Sequence, residues 1–272
     1  MKRLLPVTVA GIVLLAMVFQ SCKHDDDDSP STVKTWAINM KATHEVPAPA
    51  GRNEEGEATI ELLSNNSLKY NIHIHNLSAS DALNNAHIHT GDAGTSGGIL
   101  IPFNPTFIGA GTTGIVTGLR QGQIDTLLGQ PVYVNVHSNQ VPAGLARGQL
   151  DKEVVLAMDI PLLGSKEVPP VTTTATGLAI LRLTYDKVLY SKVTVTNLES
   201  NDTLTVSHIH PGAVGINGSP LIFLCNSLAD FGVLKISSPL PDAQYNQLIN
   251  DPMYVNAHSR RHGAGLVRGQ IR

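Results

Sequence analysis

The chain has 272 residues, 42% hydrophobic and only 15% charged, with 19 Lys+Arg against 22 Asp+Glu and a net charge of −3. That balance lacks the basic patch that a phosphate backbone requires, which excludes nucleic acid as a partner class. The 24 Gly and 16 Pro sit slightly above average usage and favour a turn-rich folded chain, while two Cys cannot build a disulfide framework.

Lys2 and Arg3 precede an apolar run from Leu4 to Phe19. The run is short for a bilayer span and has the flanks of a secretory signal, so residues 1–21 read as an export signal. It closes on Phe19, Gln20, Ser21 and Cys22, which resembles a bacterial lipobox, and Cys22 is the expected lipidation site. An ordinary signal peptide with an incidental cysteine is the alternative. Residues 22–32 carry Asp25, Asp26, Asp27 and Asp28 and read as a solvated acidic tether. This stretch is similar to the surface-export signal of lipoproteins from Bacteroidetes-type bacteria. It implies an exported outer membrane lipoprotein, surface-exposed and held to the membrane through its N-terminal lipid anchor.

Beyond the tether the hydrophobic period is two. Trp36, Ile38 and Met40 alternate with Ala37, Asn39 and Lys41, and Leu68, Tyr70, Ile72 and Ile74 alternate with Lys69, Asn71, His73 and His75. Both read as half-buried strands. Turn signals at Asn65-Asn66, Gly91-Asp92, Gly97-Gly98 and Asn217-Gly218 separate such segments. One short helix is expected at about Pro241 to Ile249, with Leu248 and Ile249 facing inward.

The same unit is written twice. Gly56, Ala58, Ile60 and Leu62 recur at an offset of 121 as Gly177, Ala179, Leu181 and Leu183; His87, His89 and Gly91 recur as His208, His210 and Gly212. Tyr133, Asn135 and His137 recur as Tyr254, Asn256 and His258, and Arg147, Gly148 and Gln149 as Arg268, Gly269 and Gln270. Glu45-Val46-Pro47 returns as Glu167-Val168-Pro169, one residue out of step. The expected domains span 33–152 and 153–272, with the boundary near Asp151-Lys152-Glu153. The expected fold class is all-β: two tandem Greek-key antiparallel β-sandwich or barrel domains, immunoglobulin-like or superoxide-dismutase-like, each with at most one short helix.

Glu45-Val46-Pro47, then His87-Ile88-His89 with Gly91 and Gly94, then Tyr133-Val134-Asn135-Val136-His137-Ser138 and Arg147-Gly148-Gln149 together resemble the chordin-type (CHRD) domain family. The resemblance covers nearly all of the mature chain. It implies an extracellular or cell-surface β domain, and Leu145 and Leu266 stand where that family more often shows Glu.

The 11 His carry the sharpest chemistry. Residues i and i+2 of a strand share a face roughly 6.5 Å apart, so His87 and His89 point the same way. His137 is the candidate third ligand from a neighbouring strand, and His208, His210 and His258 form the matching set. Three neutral imidazoles suit copper or zinc. The leading reading nevertheless keeps these histidines as hydrogen-bonded ties between strands, with Asn135 and Arg147, and copper or zinc binding is the alternative. A His-x-His pair in a small sandwich is also similar to copper–zinc superoxide dismutases, but no bridging His and Asp set and no cysteine pair accompanies it, so redox activity ranks behind metal binding. His73 and His75 have Thr194 and Thr196 as counterparts and read as a solvated strand face. Arg147 with Glu45, and Arg268 with Glu167, read as structural clamps. Cys225, in an apolar stretch, reads as a buried small hydrophobe.

Gly91 to Gly98 is no phosphate loop, because no Lys-Ser or Lys-Thr follows it, and no nucleophile elbow appears. The expected function is a non-catalytic binding or structural module of the cell envelope or surface, with an extracellular protein or glycan as partner.

Overall fold

The computed structural model describes residues 29–272; the export signal, Cys22 and most of the acidic tether lie outside them. Repeat 1 runs β1 (Thr32–Lys41), β2 (Glu55–Leu63), β3 (Leu68–His75), β4 (Leu83–Thr90), β5 (Ile99–Pro102), β6 (Gly111–Val116), α1 (Gln121–Gly129), β7 (Val132–Ser138) and β8 (Ala146–Gln149). Repeat 2 follows with β9 (Val154–Leu163), β10 (Thr176–Thr184), β11 (Leu189–Thr196), β12 (Leu204–Pro211), β13 (Ile222–Cys225), β14 (Lys235–Ile236), α2 (Asp242–Asn250), β15 (Met253–Ser259) and β16 (Val267–Gln270).

Strand order is β5-β4-β7-β8-β1-β2-β3-β6 in repeat 1, and repeat 2 reproduces it as β13-β12-β15-β16-β9-β10-β11-β14. All pairings are antiparallel. β1 meets β8 at a single residue pair, Lys41 opposite Arg147, and β9 meets β16 only at Leu163 opposite Arg268. Each repeat is therefore two four-stranded layers joined at a corner, an all-β sandwich as the period-two pattern requires.

The alternating residues do the packing. Ile38, Met40, Ile60, Ile72 and Ile74 from one layer meet Ala86, Ile88, Val134 and Val136 from the other in a single core. Each buried Ile or Leu stabilises the fold by about 1.5–3 kcal/mol. Lys69, Asn71, His73 and His75 of β3 are exposed, and His75 Nε2 lies 2.5 Å from Glu57 Oε2. α2 forms where the sequence placed a helix, with Leu248 fully buried. α1 is its counterpart in repeat 1, within the expectation of at most one short helix per domain but at a position the sequence does not mark. Its inward residues Ile124 and Leu127 sit among Gln and Gly without a proline to mark the start. Cys225 is buried and free, and burial pushes its thiol up to about 12.

The repeats touch directly. Arg182 of β10 is fully buried, ion-pairs with Asp159 at 2.7 Å and donates to the main-chain oxygen of Glu45 in repeat 1. Asp159 also accepts the Ala48 N–H at 2.9 Å. Ala93 packs with Val154, Tyr190 and Leu234 beside these bonds.

Candidate metal centres

Register places the six histidines. In repeat 1, β4 pairs with β7 so that His87 is opposite Asn135, His89 opposite Tyr133 and Asn85 opposite His137. His87 and His89 project from one face of β4, and His137 reaches them from the end of β7. Ring centroids lie 5.4 Å apart for His87–His89, 5.0 Å for His87–His137 and 6.3 Å for His89–His137. In repeat 2, His208–His210, His208–His258 and His210–His258 give 5.4, 5.1 and 6.3 Å. One nitrogen from each ring lies within 4.8 Å of the other two in both triplets.

Backbone carbonyls settle which nitrogen faces inward. His89 Nδ1 is 3.0 Å from Gly97 O, and His137 Nδ1 is 2.9 Å from Pro142 O. His210 Nδ1 meets Gly218 O at 3.0 Å and His258 Nδ1 meets Gly263 O at 3.1 Å. A neutral ring nitrogen facing a carbonyl carries the proton, which leaves the lone pair on Nε2 of His89, His137 and His210; His258 Nε2 instead lies 2.9 Å from Asn256 Oδ1, so this ring faces a carbonyl oxygen on each side. His87 and His208 present Nδ1 instead: His87 Nδ1 stands 3.1 Å from His137 Nε2. Among the described residues, His89 Nε2, His210 Nε2 and His208 Nδ1 are buried without a hydrogen-bond partner. Each such group costs about 1–3 kcal/mol unless something satisfies it.

A cation would do so. Metal–nitrogen bonds of about 2.0–2.1 Å in tetrahedral geometry put ligand nitrogens roughly 3.3 Å apart. The His87–His137 pair, at 3.1 Å, is already close to that spacing, and the third nitrogen lies within 4.8 Å of both. Burial, reinforced by the neighbouring imidazoles, lowers His87 and His208 to about 4. His89, His137, His210 and His258 are also lowered, burial being the largest cause. All six are neutral at physiological pH, the state that ligates.

A second layer holds the rings. Tyr133 stacks on His89 with centroids 5.1 Å apart, and the Arg147 guanidinium lies 3.4 Å from the Tyr133 ring centroid. Arg147 donates to Thr95 O at 2.7 Å, to Asp92 O and to Gln149 Oε1 at 2.8 Å. It thereby fixes the loop whose Gly97 carbonyl orients His89. Repeat 2 repeats the stack with His210, Tyr254 and Arg268, and Arg268 donates to Ile216 O at 2.8 Å.

This corrects the expected clamp. Arg147 does not ion-pair with Glu45, because its donors are spent on loop carbonyls and Gln149. The Glu45 carboxylate instead accepts Asn135 Nδ2 at 2.9 and 3.1 Å. Burial raises Glu45 to about 7 against the opposing pull of Arg147, and Glu167 reaches about 7 in the same way. Glu45, Asn135, His89 and Tyr133 line a cleft of about 470 Å³.

A family model for the CHRD domain matches residues 36–150 and again 158–271. The chain belongs to the CHRD domain family. No curated protein and no solved structure matches it. Each CHRD repeat carries one histidine triplet, one Arg–Tyr–His stack and one buried Glu, so these features are properties of the repeat. Sequence reasoning found the triplets and missed the stack. The one available signal was that Tyr133 and Arg147 recur together with the histidines at the same offset.

Proposed function

We propose that this tandem CHRD protein is a lipid-anchored, surface-exposed, non-catalytic module in which each repeat holds one copper or zinc ion. The observation that carries the reading is the convergence of three imidazoles whose inward nitrogens include buried, unpartnered atoms, while backbone carbonyls take the outward protons. Outer partners of this kind are what orient metal-ligating histidines. Without thiolates the set accepts either ion, and copper binds such nitrogen donors more tightly.

The lipobox-like Phe19 to Cys22 and the four consecutive aspartates behind it support anchoring and surface display. Metal content measured on untagged protein from its native membrane tests the site: bound copper or zinc supports it, and metal-free protein with intact fold contradicts it. Cys22→Ala should release the protein from membranes, and unchanged fractionation would contradict the anchor.

A further inference from the structure

The two repeats present the same tip to different surroundings. In repeat 1 the tip is the turn at Glu45 to Ala48 and the loop Asp92 to Gly94, and repeat 2 covers it. Arg182 donates to the Glu45 carbonyl, Asp159 accepts from Ala48 N, and Ala93 is 2% exposed against Tyr190 and Leu234. A Cβ on Gly94 would stand 2.5 Å from Leu234 Cδ1 and 3.1 Å from Tyr190 Cβ, so the fit is close.

In repeat 2 the equivalent tip is open. Val214 replaces Ala93 and is 80% exposed, Ile216 replaces Thr95 and is 58% exposed, and Gly215 has nothing within 4 Å of its Cβ position. Beside them a cleft of about 380 Å³ is lined by Glu167, Val168, Pro170 and Arg268. The tip is thus more apolar where it is bare than where it is covered, the reverse of what solvent exposure favours.

A second copy of the chain does not supply the matching face. On the sheet of repeat 1, Glu61 stands at the position of Arg182, Lys69 at that of Tyr190, Thr113 at that of Leu234 and Ala37 at that of Asp159. That face has Ile115 beside Lys69, but neither the guanidinium nor the tyrosine–leucine pair that covers Ala93.

We infer that the tip of repeat 2, at Val214, Gly215, Ile216 and the Glu167 turn, docks a partner protein through a β-sheet face bearing an arginine between an aromatic and an aliphatic side chain. The partner repeats what repeat 2 does to repeat 1: the arginine reaches the Glu167 carbonyl and the apolar pair covers Val214. Arg and Tyr are the residue types that anchor interfaces. The inference is independent of metal.

The full chain tests it by receiving the missing face. Glu61→Arg, Lys69→Tyr and Thr113→Leu, placed together on the outer face of repeat 1, should convert a monomer into head-to-tail assemblies whose mass grows with concentration in sedimentation velocity. Adding Val214→Asp should return it to monomer. Glu61→Arg alone, a milder change, should give the same shift at higher concentration if the triple variant misfolds. Folded variants that stay monomeric, or assembly that Val214→Asp leaves intact, would overturn the inference. Wild-type self-association abolished by Val214→Asp would overturn the choice of partner, since Glu61 and Lys69 would then suffice.

Discussion

His87 Nδ1 and His137 Nε2 stand 3.1 Å apart on neighbouring strands, and because Pro142 O takes the other proton of His137, the two share one hydrogen between two lone-pair positions. Metal binding would replace that hydrogen with a cation and move the His87 proton to its outer nitrogen. On the proposed reading, β-sheet register has already assembled the ligand set, with a proton standing where an ion would go.

Arg147→Lys should weaken zinc binding in repeat 1 by up to about 10–100-fold, the usual cost of losing an outer partner of a ligating histidine, because it frees the loop whose Gly97 carbonyl is that partner for His89. Lysine cannot span Asp92 O, Thr95 O and Gln149, nor stack as a plane on Tyr133. Repeat 2 is the internal control. Calorimetric titration should show one weakened and one unchanged site, and two unchanged sites would contradict the role given to the stack.

How much of this was legible in the sequence differs by element. β1 and β3 could be read because each faces core on one side and solvent on the other, which imposes strict alternation. The triplets could be read because duplication set His87, His89 and His137 beside an identical set. α1 could not, since Ile124 and Leu127 alone bury its inner face. Nor could the partners of Arg147, which are main-chain carbonyls and leave no trace in residue types. Arg182 looked like an ordinary strand residue, and only the docking of one repeat on the other gives it a role.

Acidification should destabilise the metal-free protein. Burial holds His44 at about 3 and His87 and His208 at about 4 in the folded chain, against 6.5 when unfolded. As pH falls through that window the unfolded chain takes up protons that the folded chain refuses, so stability drops. Glu45 and Glu167 oppose this: their folded values of about 7 lie above 4.5, so between those values the folded chain takes up protons and gains. Three histidines outweigh two glutamates. The melting temperature should decline from about pH 6 to about pH 4.5, and more steeply in Glu45→Gln/Glu167→Gln, whose opposing uptake is gone. A wild-type melting temperature that rises between about pH 6 and about pH 4.5 would contradict these assignments.

Gly144 has φ +139°, and a Cβ there would lie 2.7 Å from Asn135 Nδ2 and 2.8 Å from Glu45 Oε1. Gly144→Ala should therefore cost about 1–3 kcal/mol through backbone strain and displacement of the Glu45–Asn135 pair. Urea unfolding measures it, and an unchanged midpoint would contradict the close approach.

Arg182→Met should cost about 3 kcal/mol or more, because it leaves the Asp159 carboxylate and the Glu45 carbonyl without their donor. Limited proteolysis should then cut at the junction near Asp151 to Glu153 faster than in wild type. Unaltered stability and cleavage would show that the repeats do not depend on this residue.

Calorimetric titration of the metal-free full chain with zinc tests the central claim most directly. Two equivalents should bind to wild type, one to His87→Ala, one to His208→Ala and none to the double variant, with all four proteins folded by circular dichroism. A folded wild-type protein that binds no zinc and no copper, or variants that retain both equivalents, would contradict it.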